Sequence, residues 1–200
     1  MTLRYEKLTG AALKAVIADL AKLRIAVFRD WPYLYDGSVD YEATYLARYS
    51  DTPGALVVGA YDRGALVGAS TATPLASEVE AFRTPFAEHG YDARRVFYFG
   101  ESILLPAYRG RGAGHAFFDH REAHARSPGG YAYTAFCAVV RGEDDARRPA
   151  HYRPLDAFWR GRGYQPVLGM QARFSWREVG EAAESEKPMQ FWIRALDTGR

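Results

Sequence analysis

Glycine occupies alternate positions in one short segment, Arg-Gly-Arg-Gly-Ala-Gly at residues 109–114. The segment follows an apolar run that ends at Pro106, and it precedes a stretch with helical periodicity. Because glycine has no side chain, the backbone of such a turn comes close to an anion, and the N–H groups of a helix start point toward it. The pattern therefore predicts a strand-to-helix turn that binds a pyrophosphate. Arg109 and Arg111 either add charge to this site or are simply solvated.

Two better-known phosphate motifs fit this segment poorly. A P-loop requires lysine and then serine or threonine after its last glycine, whereas His115 and Ala116 follow Gly114. A dinucleotide fingerprint places its third glycine three residues after the second, whereas the glycines alternate here. The segment is therefore interpreted from its backbone chemistry alone.

Candidate acids, nucleophiles and metal ligands lie nearby in the sequence. Glu101 stands within an apolar strand, where an unpaired charge is costly, so it either pairs with a neighbouring arginine or acts in the chemistry. Cys137 in another apolar strand is more often a small buried residue than a nucleophile served by His151. His120 and His124 are one helical turn apart, but the sequence offers no third ligand, so no metal site is predicted.

The composition predicts one globular domain over residues 1–200. The chain has 48% hydrophobic and 14% aromatic residues, enough for a single core. Its 26 basic and 24 acidic side chains give a formal net charge of +2, which argues against a protein built around nucleic-acid phosphates. One cysteine excludes an internal disulfide, and no apolar run reaches the roughly 18 residues of a membrane span. We therefore expect a cytoplasmic protein with no nucleic-acid or membrane partner.

The hydrophobic pattern predicts the order β-α-α-β-β-(α)-β-α-β-α-β-β, in which hairpins flank a strand-helix-strand unit. A helix is expected over residues 77–89 and another over residues 112–126. After the last helix, the pattern predicts a strand from Tyr164 and tail strands at residues 172–176 and 189–196.

The glycine segment and its surroundings resemble the GCN5-related N-acetyltransferase (GNAT) superfamily. The motif of that family, Arg/Gln-x-x-Gly-x-Gly/Ala, is matched by residues 109–114, directly after the approach Ile-Leu-Leu-Pro-Ala-Tyr. A second family signature, an aromatic residue followed by three positions and then Gly-Phe/Tyr, is matched within residues 158–164. Together with the order of the elements, the resemblance covers nearly the whole chain.

The resemblance implies a mixed α/β (α+β) fold, with a central, mostly antiparallel, twisted sheet of about seven strands and helices on both faces. Two central parallel strands splay apart, and the pantetheine arm of acetyl-CoA lies in the gap. By this similarity, the donor is held by main-chain groups of the first splayed strand, by the glycine turn, and by an aromatic residue of the last helix. These residues are Ile103, Leu104, Leu105, Arg109, Gly110, Arg111, Gly112, Ala113, Gly114 and Trp159.

The resemblance also implies direct acyl transfer without a metal. A neutral amine attacks the thioester, and a backbone N–H near Leu104 stabilises the oxyanion. Glu101 is then the candidate base, acting directly or through water. Many relatives carry a tyrosine that protonates the leaving thiolate where this chain has Trp159, and indole cannot serve as that acid. Either the thiolate leaves without help, or Tyr152, Tyr164 or a water molecule replaces that tyrosine; of these, we assign the role to Tyr152.

In the resembling fold, the segment between the first two helices covers the acceptor mouth, and here it carries Trp31, Tyr33 and Tyr35. These rings form either an aromatic wall for an amine or a hydrophobic plug under the loop. We expect a small-molecule amine as acceptor, with a protein or peptide amine and a catalytically weak acyl-CoA sensor as alternatives. Similar proteins commonly form homodimers, so a homodimer is possible here, and the tail strand with Phe191 and Trp192, which is expected to be exposed, could supply the interface.

Overall fold

The structure, a computed structural model, describes residues 2–127 and 130–196. The strands are β1 (Arg4–Leu8), β2 (Leu56–Asp62), β3 (Ala65–Pro74), β4 (Val96–Leu104), β5 (Tyr133–Val139), β6 (Gln165–Trp176) and β7 (Ser185–Ala195). The helices are α1 (Gly10–Phe28), α2 (Val39–Asp51), α3 (Glu80–Glu88), α4 (Ala113–Ala125) and α5 (Asp156–Gly161). All seven strands join one sheet in the order β1-β2-β3-β4-β5-β7-β6.

The central strands β4 and β5 form the parallel pair of an otherwise antiparallel sheet. They pair over a short stretch, from Val96 opposite Tyr133 to Tyr98 opposite Ala135. Both strands continue well beyond this stretch, β4 along β3 and β5 along β7. A gap therefore opens between them, and the predicted fold class is confirmed.

Helices cover both faces of the sheet and build a core on each. On one face, Phe99 of β4 packs with Phe117 and Phe118 of α4. On the other face, Ile103 of β4 belongs to a cluster with Leu20 of α1 and with α2. The helix that carries the glycine turn and the helices that flank the aromatic segment are thus fixed on opposite sides of β4.

A β-bulge interrupts the pairing of β3 and β4. The register shifts by one residue between Ser70 and Ala72, so that Thr71 faces two residues of β4, Gly100 and Glu101. Side chains alternate between the faces of a strand, so an extra residue reverses the alternation that follows it. Odd-numbered β4 residues face α4 before the bulge and face α1 and α2 after it. The bulge therefore turns Glu101 away from the α4 core.

The last strand is not exposed, and this expectation for residues 189–196 is wrong. β7 pairs with β5 along one edge and with β6 along the other. As a result, Phe191 and Trp192 are only 0% and 3% exposed. They cannot supply a dimer interface, although a homodimer formed through another surface remains a prediction.

Two element boundaries also differ from the sequence prediction. The strands expected from Tyr164 and at residues 172–176 are one strand, β6, whose register against β7 shifts between Pro166 and Gln171. Gly169, whose φ is +77°, lies within this irregular stretch and gives the sequence the appearance of two strands. The helix expected over residues 77–89 begins later, at Glu80, after a short 3-10 turn.

In the described residues, the helices are too short or too polar to cross a membrane. The predictions of one domain over residues 1–200 and of a cytoplasmic location stay predictions. Residues 1, 128, 129 and 197–200 lie outside the part of the chain that the structure describes.

Candidate active site

The glycine segment forms the turn between β4 and α4 that the sequence predicts. Gly110 and Gly112 have φ angles of +75° and +85°, and a Cβ at either position would meet no heavy atom within 4 Å. Gly112 caps the N-terminus of α4 in the left-handed conformation. Positive φ therefore explains both glycines, and the open space beside them leaves the backbone accessible.

The N–H groups of this turn are free to bind an anion. Within residues 2–127 and 130–196, the backbone N–H groups from Gly110 to His115 donate to no protein acceptor, whereas that of Arg109 donates to the Pro106 carbonyl (3.1 Å). The positive end of the α4 dipole lies at the same place. This set of donors fits a pyrophosphate, so the turn at residues 110–114 would hold that part of acetyl-CoA.

The two arginines of the turn point in different directions. Arg109 lines the gap, and its Nε donates to the Leu104 carbonyl (3.1 Å). Arg111 is exposed and lies outside the lining of the gap that the described residues form. Arg109 is thus the better placed of the two for the donor, and the role of Arg111 stays a prediction.

Main-chain groups along β4 point alternately to β3 and to the gap. The Leu105 N–H donates to the Val67 carbonyl of β3 (3.0 Å), and Ile103, which lies opposite Ala69, faces the same way. The main-chain groups of Leu104 point in the other direction, into the gap. Of the three residues predicted to contact pantetheine, Leu104 is therefore the one whose main-chain groups face the gap. Its C=O already accepts from Arg109 Nε there and keeps a second lone pair.

The gap opens into a cleft of about 1960 Å³ that reaches from the glycine turn to the aromatic segment after α1. Residues predicted to bind the donor and residues predicted to bind the acceptor line this same cleft. Ile103, Leu105 and Arg111 are not among the described residues that line it. The predicted site residues that line it are Trp31, Tyr33, Tyr35, Glu101, Leu104, Arg109, Gly110, Gly112, Ala113, Gly114, Tyr152 and Trp159.

Glu101 lies on the wall of the cleft, just after the bulge. Its carboxylate forms an ion pair with Arg24 of α1 and accepts a hydrogen bond from the Tyr45 hydroxyl (3.3 Å). Arg24 also pairs with Glu42 of α2, and the Glu101 side chain is 7% exposed. The sequence left two alternatives for Glu101, an ion pair with an arginine or a role in the chemistry. The ion pair is present, although its partner, Arg24, is remote in sequence. The role of Glu101 as a base stays a prediction.

Burial and charge fix the protonation of the groups that hold Glu101. Burial disfavours the charge of Arg24, but the carboxylates of Glu101 and Glu42 outweigh it and raise the pKa of Arg24 above its ordinary value. Burial, and then the charge of Glu101, raise the pKa of Tyr45 well above its ordinary value. Arg24 therefore stays charged and Tyr45 stays a hydrogen-bond donor at neutral pH.

A ring of hydrogen bonds fixes Glu101 by both its side chain and its backbone. The hydroxyls of Tyr45 and Tyr49 lie 3.3 Å apart, and Thr71 Oγ1 donates to the Tyr49 hydroxyl (3.2 Å). The Glu101 N–H donates to Thr71 Oγ1 (3.1 Å), which closes the ring. A Cβ at Gly100 would come within 2.6 Å of the Tyr49 hydroxyl, so the ring requires glycine at that position.

The aromatic segment forms a roof over the end of the cleft where the acceptor is expected. The Trp31 ring meets the Tyr152 ring edge to face, with centroids 6.0 Å apart. Arg141, which follows β5, donates to the Pro32 carbonyl (2.6 Å) and to the Tyr33 carbonyl (3.2 Å). The loop after α1 and the loop before α5 therefore contact each other above the cleft.

The same rings also pack against the protein, so both interpretations of the aromatic segment apply in part. The Tyr33 ring lies 4.8 Å from Phe28 and 6.1 Å from Trp176, between centroids. Burial raises the pKa of Tyr33 above its ordinary value, which keeps its hydroxyl protonated. Tyr35 lies beside Glu178 in an isolated β-bridge. The segment is thus anchored at one end and faces the cleft at the other.

A buried carboxylate ties this roof to the sheet. Glu178 is 1% exposed, accepts from Arg141 Nη2 (2.6 Å), forms an ion pair with Arg147 and lies 3.7 Å from Lys187 Nζ. We call Arg141, Arg147, Glu178 and Lys187 the Glu178 cluster. It joins the loop before α5 to the connection between β6 and β7, and through Arg141 it reaches the aromatic segment.

The residues expected near the leaving sulfur are Tyr152, Tyr164 and Trp159. Tyr152 lines the cleft, and partial burial raises its pKa above the ordinary value. Tyr164 is fully buried, with its hydroxyl 2.8 Å from Thr134 Oγ1, and lies outside the described lining. Trp159 lines the cleft and packs on Phe136 at 5.0 Å. Tyr152 is therefore the phenol of the two that reaches the cleft.

The alternative nucleophile and metal site gain no support from the geometry. Burial raises the pKa of the Cys137 thiol to about 12, and its sulfur lies 3.0 Å from the Tyr98 hydroxyl, so little thiolate forms at neutral pH. His124 Nε2 lies 3.2 Å from the Gly54 carbonyl, and the His120 ring lies beside Tyr5. Across residues 2–127 and 130–196, no three His, Cys, Asp or Glu side chains converge as metal ligands would.

Four charged residues of the site were missed by the sequence analysis: Arg24, Arg121, Arg141 and Glu178. Arg24 interrupts the apolar face of the first helix, and a buried arginine there is the partner that a buried Glu101 requires. Arg121 is also a charged residue within a helix, and the sequence does not indicate which face it occupies. Arg141 and Glu178 lie in polar loops, where nothing in the sequence distinguishes a buried charge from a solvated one.

Two features together define a class of proteins that bind acyl-CoA thioesters. The central parallel strands of the sheet diverge, and a glycine turn at the start of a helix lies beside the gap. The family comparison agrees with this class, since residues 20–153 match the model of the Acetyltransferase (GNAT) family. The chain belongs to that family and is an acetyl-CoA-dependent acetyltransferase. No curated protein sequence matches the chain at a significant level.

Solved structures of low sequence identity share the fold. NAA60 of Arabidopsis thaliana, solved with acetyl-CoA, has a TM-score of 0.63 at 14% identity and covers 98% of this chain and 99% of its own. Ribosomal-protein-alanine N-acetyltransferase of Brucella melitensis has a TM-score of 0.61 at 14% identity, with coverage of 98% and 100%. The putative acetyltransferase yncA of Salmonella typhimurium, solved with acetyl-CoA, has a TM-score of 0.58 at 14% identity, with coverage of 100% and 96%.

Proposed function

We propose that the protein transfers the acetyl group of acetyl-CoA to the primary amine of a small molecule. The observation that carries the choice of a small acceptor is the contact between Trp31 and Tyr152 over the acceptor end of the cleft. A polypeptide acceptor needs an open groove, whereas Arg141 ties the two roof loops together through the Pro32 carbonyl. Trp31, Tyr33 and Tyr35 then form the aromatic wall against which the amine binds.

Donor binding is assigned to one wall of the cleft. The N–H groups of residues 110–114 bind the pyrophosphate, with Arg109 beside them, and the Leu104 carbonyl accepts a hydrogen bond from pantetheine. Trp159 packs on the donor from α5. Bound acetyl-CoA supplies the activated acetyl group.

The chemical roles are assigned to groups that the cleft brings together. Glu101 takes a proton from the ammonium form of the acceptor, directly or through water, and Arg24 and Tyr45 hold its carboxylate in place. The Leu104 N–H donates to the charge that develops on the acyl oxygen. Tyr152, whose raised pKa keeps its phenol protonated, donates a proton to the leaving sulfur.

The test is turnover with two acceptor panels. Purified protein is incubated with acetyl-CoA and either small primary amines or short peptides with a free N-terminal amine, and thiol release and the mass of the product are measured. We expect acetylation of at least one small amine well above the amine-free rate, and none of the peptides. Turnover of peptides alone would overturn the small-molecule proposal. Binding of acetyl-CoA without turnover of any amine would instead indicate a sensor.

A further inference from the structure

Arg121 of α4 is a buried arginine to which the chemistry above assigns no role. Its side chain is 1% exposed, yet its hydrogen bonds end on uncharged oxygens. Nε donates to the Phe117 carbonyl (3.1 Å), and Nη1 donates to the carbonyls of Thr71 (3.3 Å) and Glu101 (3.2 Å). Nη2 donates to Ser102 Oγ (2.8 Å). The buried charge thus donates its hydrogen bonds to carbonyls and a hydroxyl rather than to a carboxylate.

Such an arrangement is costly, because a buried charge loses its hydration. Burial lowers the pKa of Arg121 to about 10, so the side chain is still charged at neutral pH. The guanidinium carbon lies 4.3 Å from the centre of the Phe99 ring and 4.9 Å from that of Phe118, which recovers part of the cost. The planar guanidinium, with its five donors, is suited to hold several acceptors in one fixed geometry.

The acceptors that Arg121 holds belong to the bulge between β3 and β4. Thr71 and Glu101 lie where the register shifts, and a single nitrogen of Arg121 binds both of their carbonyls. Ser102, the next residue, is bound by the other nitrogen. The bulge decides the face on which Glu101 stands, since a shift of one residue would turn its side chain toward α4.

We propose that Arg121 is a positioning residue, which fixes the β3–β4 bulge and so directs the Glu101 carboxylate into the cleft and the Leu104 N–H into the gap. This inference rests on the proposed function, in which those two groups are the base and the oxyanion donor. Ser102 takes part as an acceptor that orients the guanidinium.

The test compares Arg121→Lys with Arg194→Lys. Lysine keeps the charge of Arg121 but not its planar set of donors. Arg194 of β7 is the matched control. It pairs with Glu122, the neighbour of Arg121 on α4 (2.9 Å), without contacting the bulge. For each variant, kcat, the acetyl-CoA Kd, thermal stability and amide hydrogen exchange over residues 99–105 are measured.

We expect Arg121→Lys to lower kcat by about tenfold or more while the acetyl-CoA Kd changes by less than roughly threefold. Exchange over residues 99–105 should accelerate in this variant and not in Arg194→Lys. The proposal is overturned if kcat per folded molecule and exchange match those of the wild type, since Arg121 would then be structural alone.

A second variant covers the case in which Arg121→Lys does not fold. Ser102→Ala removes the Nη2 contact with little change of volume and should lower kcat several-fold at unchanged Kd; an unchanged kcat would count against the proposal. If the wild type turns over no amine, the proposed function has failed, and hydrogen exchange of the variants then decides the role of Arg121 independently.

Discussion

At the scale of single residues, the proposed proton transfer depends on Glu101. We predict that Glu101→Gln lowers kcat/KM for the amine by about 100-fold or more, because glutamine cannot accept the ammonium proton. The acetyl-CoA Kd should stay within roughly twofold, since Glu101 lies away from the pyrophosphate turn. Steady-state kinetics and calorimetric titration of acetyl-CoA measure the two effects.

The matched control is Glu78→Gln. Glu78 is also a buried carboxylate paired with an arginine, Arg48 (3.1 Å), but it lies outside the described lining of the cleft. Its replacement should cost stability without lowering the rate per folded molecule. Equal rates for the wild type and Glu101→Gln would remove Glu101 from the role of base.

A second prediction at this scale concerns the proton for the leaving sulfur. Tyr152→Phe should lower kcat by about tenfold, whereas Tyr164→Phe should lower stability and leave kcat unchanged. Because the pKa of Tyr152 is raised, its phenol stays protonated up to at least its ordinary pKa, and kcat should show no alkaline loss from this group below about pH 9. The pH profile of kcat for the two variants is the measurement, and identical profiles and rates for Tyr152→Phe and the wild type would point to water as the acid.

At the scale of the elements, the turn before α4 combines a left-handed glycine backbone with the proposed pyrophosphate site. We predict that Gly112→Ala costs about 1–2 kcal/mol, because alanine must adopt a φ near +85°, and that it raises the acetyl-CoA Kd by about tenfold. Gly64→Ala is the control, since Gly64 has a φ of +88° and equally open space in the β2–β3 hairpin. It should lose similar stability and keep the Kd. A Kd that rises equally in both variants would place the pyrophosphate elsewhere.

The roof over the acceptor is the second element with a testable role. Glu178→Gln leaves Arg141 and Arg147 without the carboxylate that they share, which should cost about 3 kcal/mol and lower Tm by roughly 6–12 °C. The KM for the amine should rise while the acetyl-CoA Kd stays constant. Glu186→Gln, which removes an exposed pair with Arg173 on the neighbouring hairpin, should change Tm little. Unchanged amine KM in Glu178→Gln would separate the Glu178 cluster from acceptor binding.

At the scale of the whole molecule, we expect the donor to bridge the two halves of the sheet. Acetyl-CoA at 100 times its Kd should stabilise the fold by about 2.7 kcal/mol and raise Tm by roughly 5–11 °C. Acetyl-pantetheine at the same concentration, which lacks the pyrophosphate, should give a smaller shift because it leaves the glycine turn empty. Thermal unfolding with each ligand provides the comparison. Equal shifts from both would show that the turn does not contribute to binding.

The elements and the glycine turn could be predicted because their signals are local. Gly110 and Gly112 indicate a turn with positive φ whatever surrounds it, and the apolar periodicity of each segment indicates whether it is a helix or a strand. The exposure of the tail strand β7 was predicted wrongly because it depends on which strands lie beside it, and the sheet topology places β5 and β6 there. The hydrophobic pattern of residues 189–196 carries no information about the order of the strands, so it could not show that both edges of β7 are covered.

The sequence by itself determined the family motif, the glycine turn and the presence of a costly charge at Glu101. Tertiary structure alone decided where that charge points, because one extra residue in β4 reverses the faces of the strand, and Arg24 and Arg121 meet Glu101 from helices on opposite sides of the sheet. It also decided that the aromatic segment roofs the cleft, since Arg141 and Glu178 lie far from it in sequence. Local spacing fixes a turn, whereas the partner of a buried charge is fixed only when the whole chain is packed.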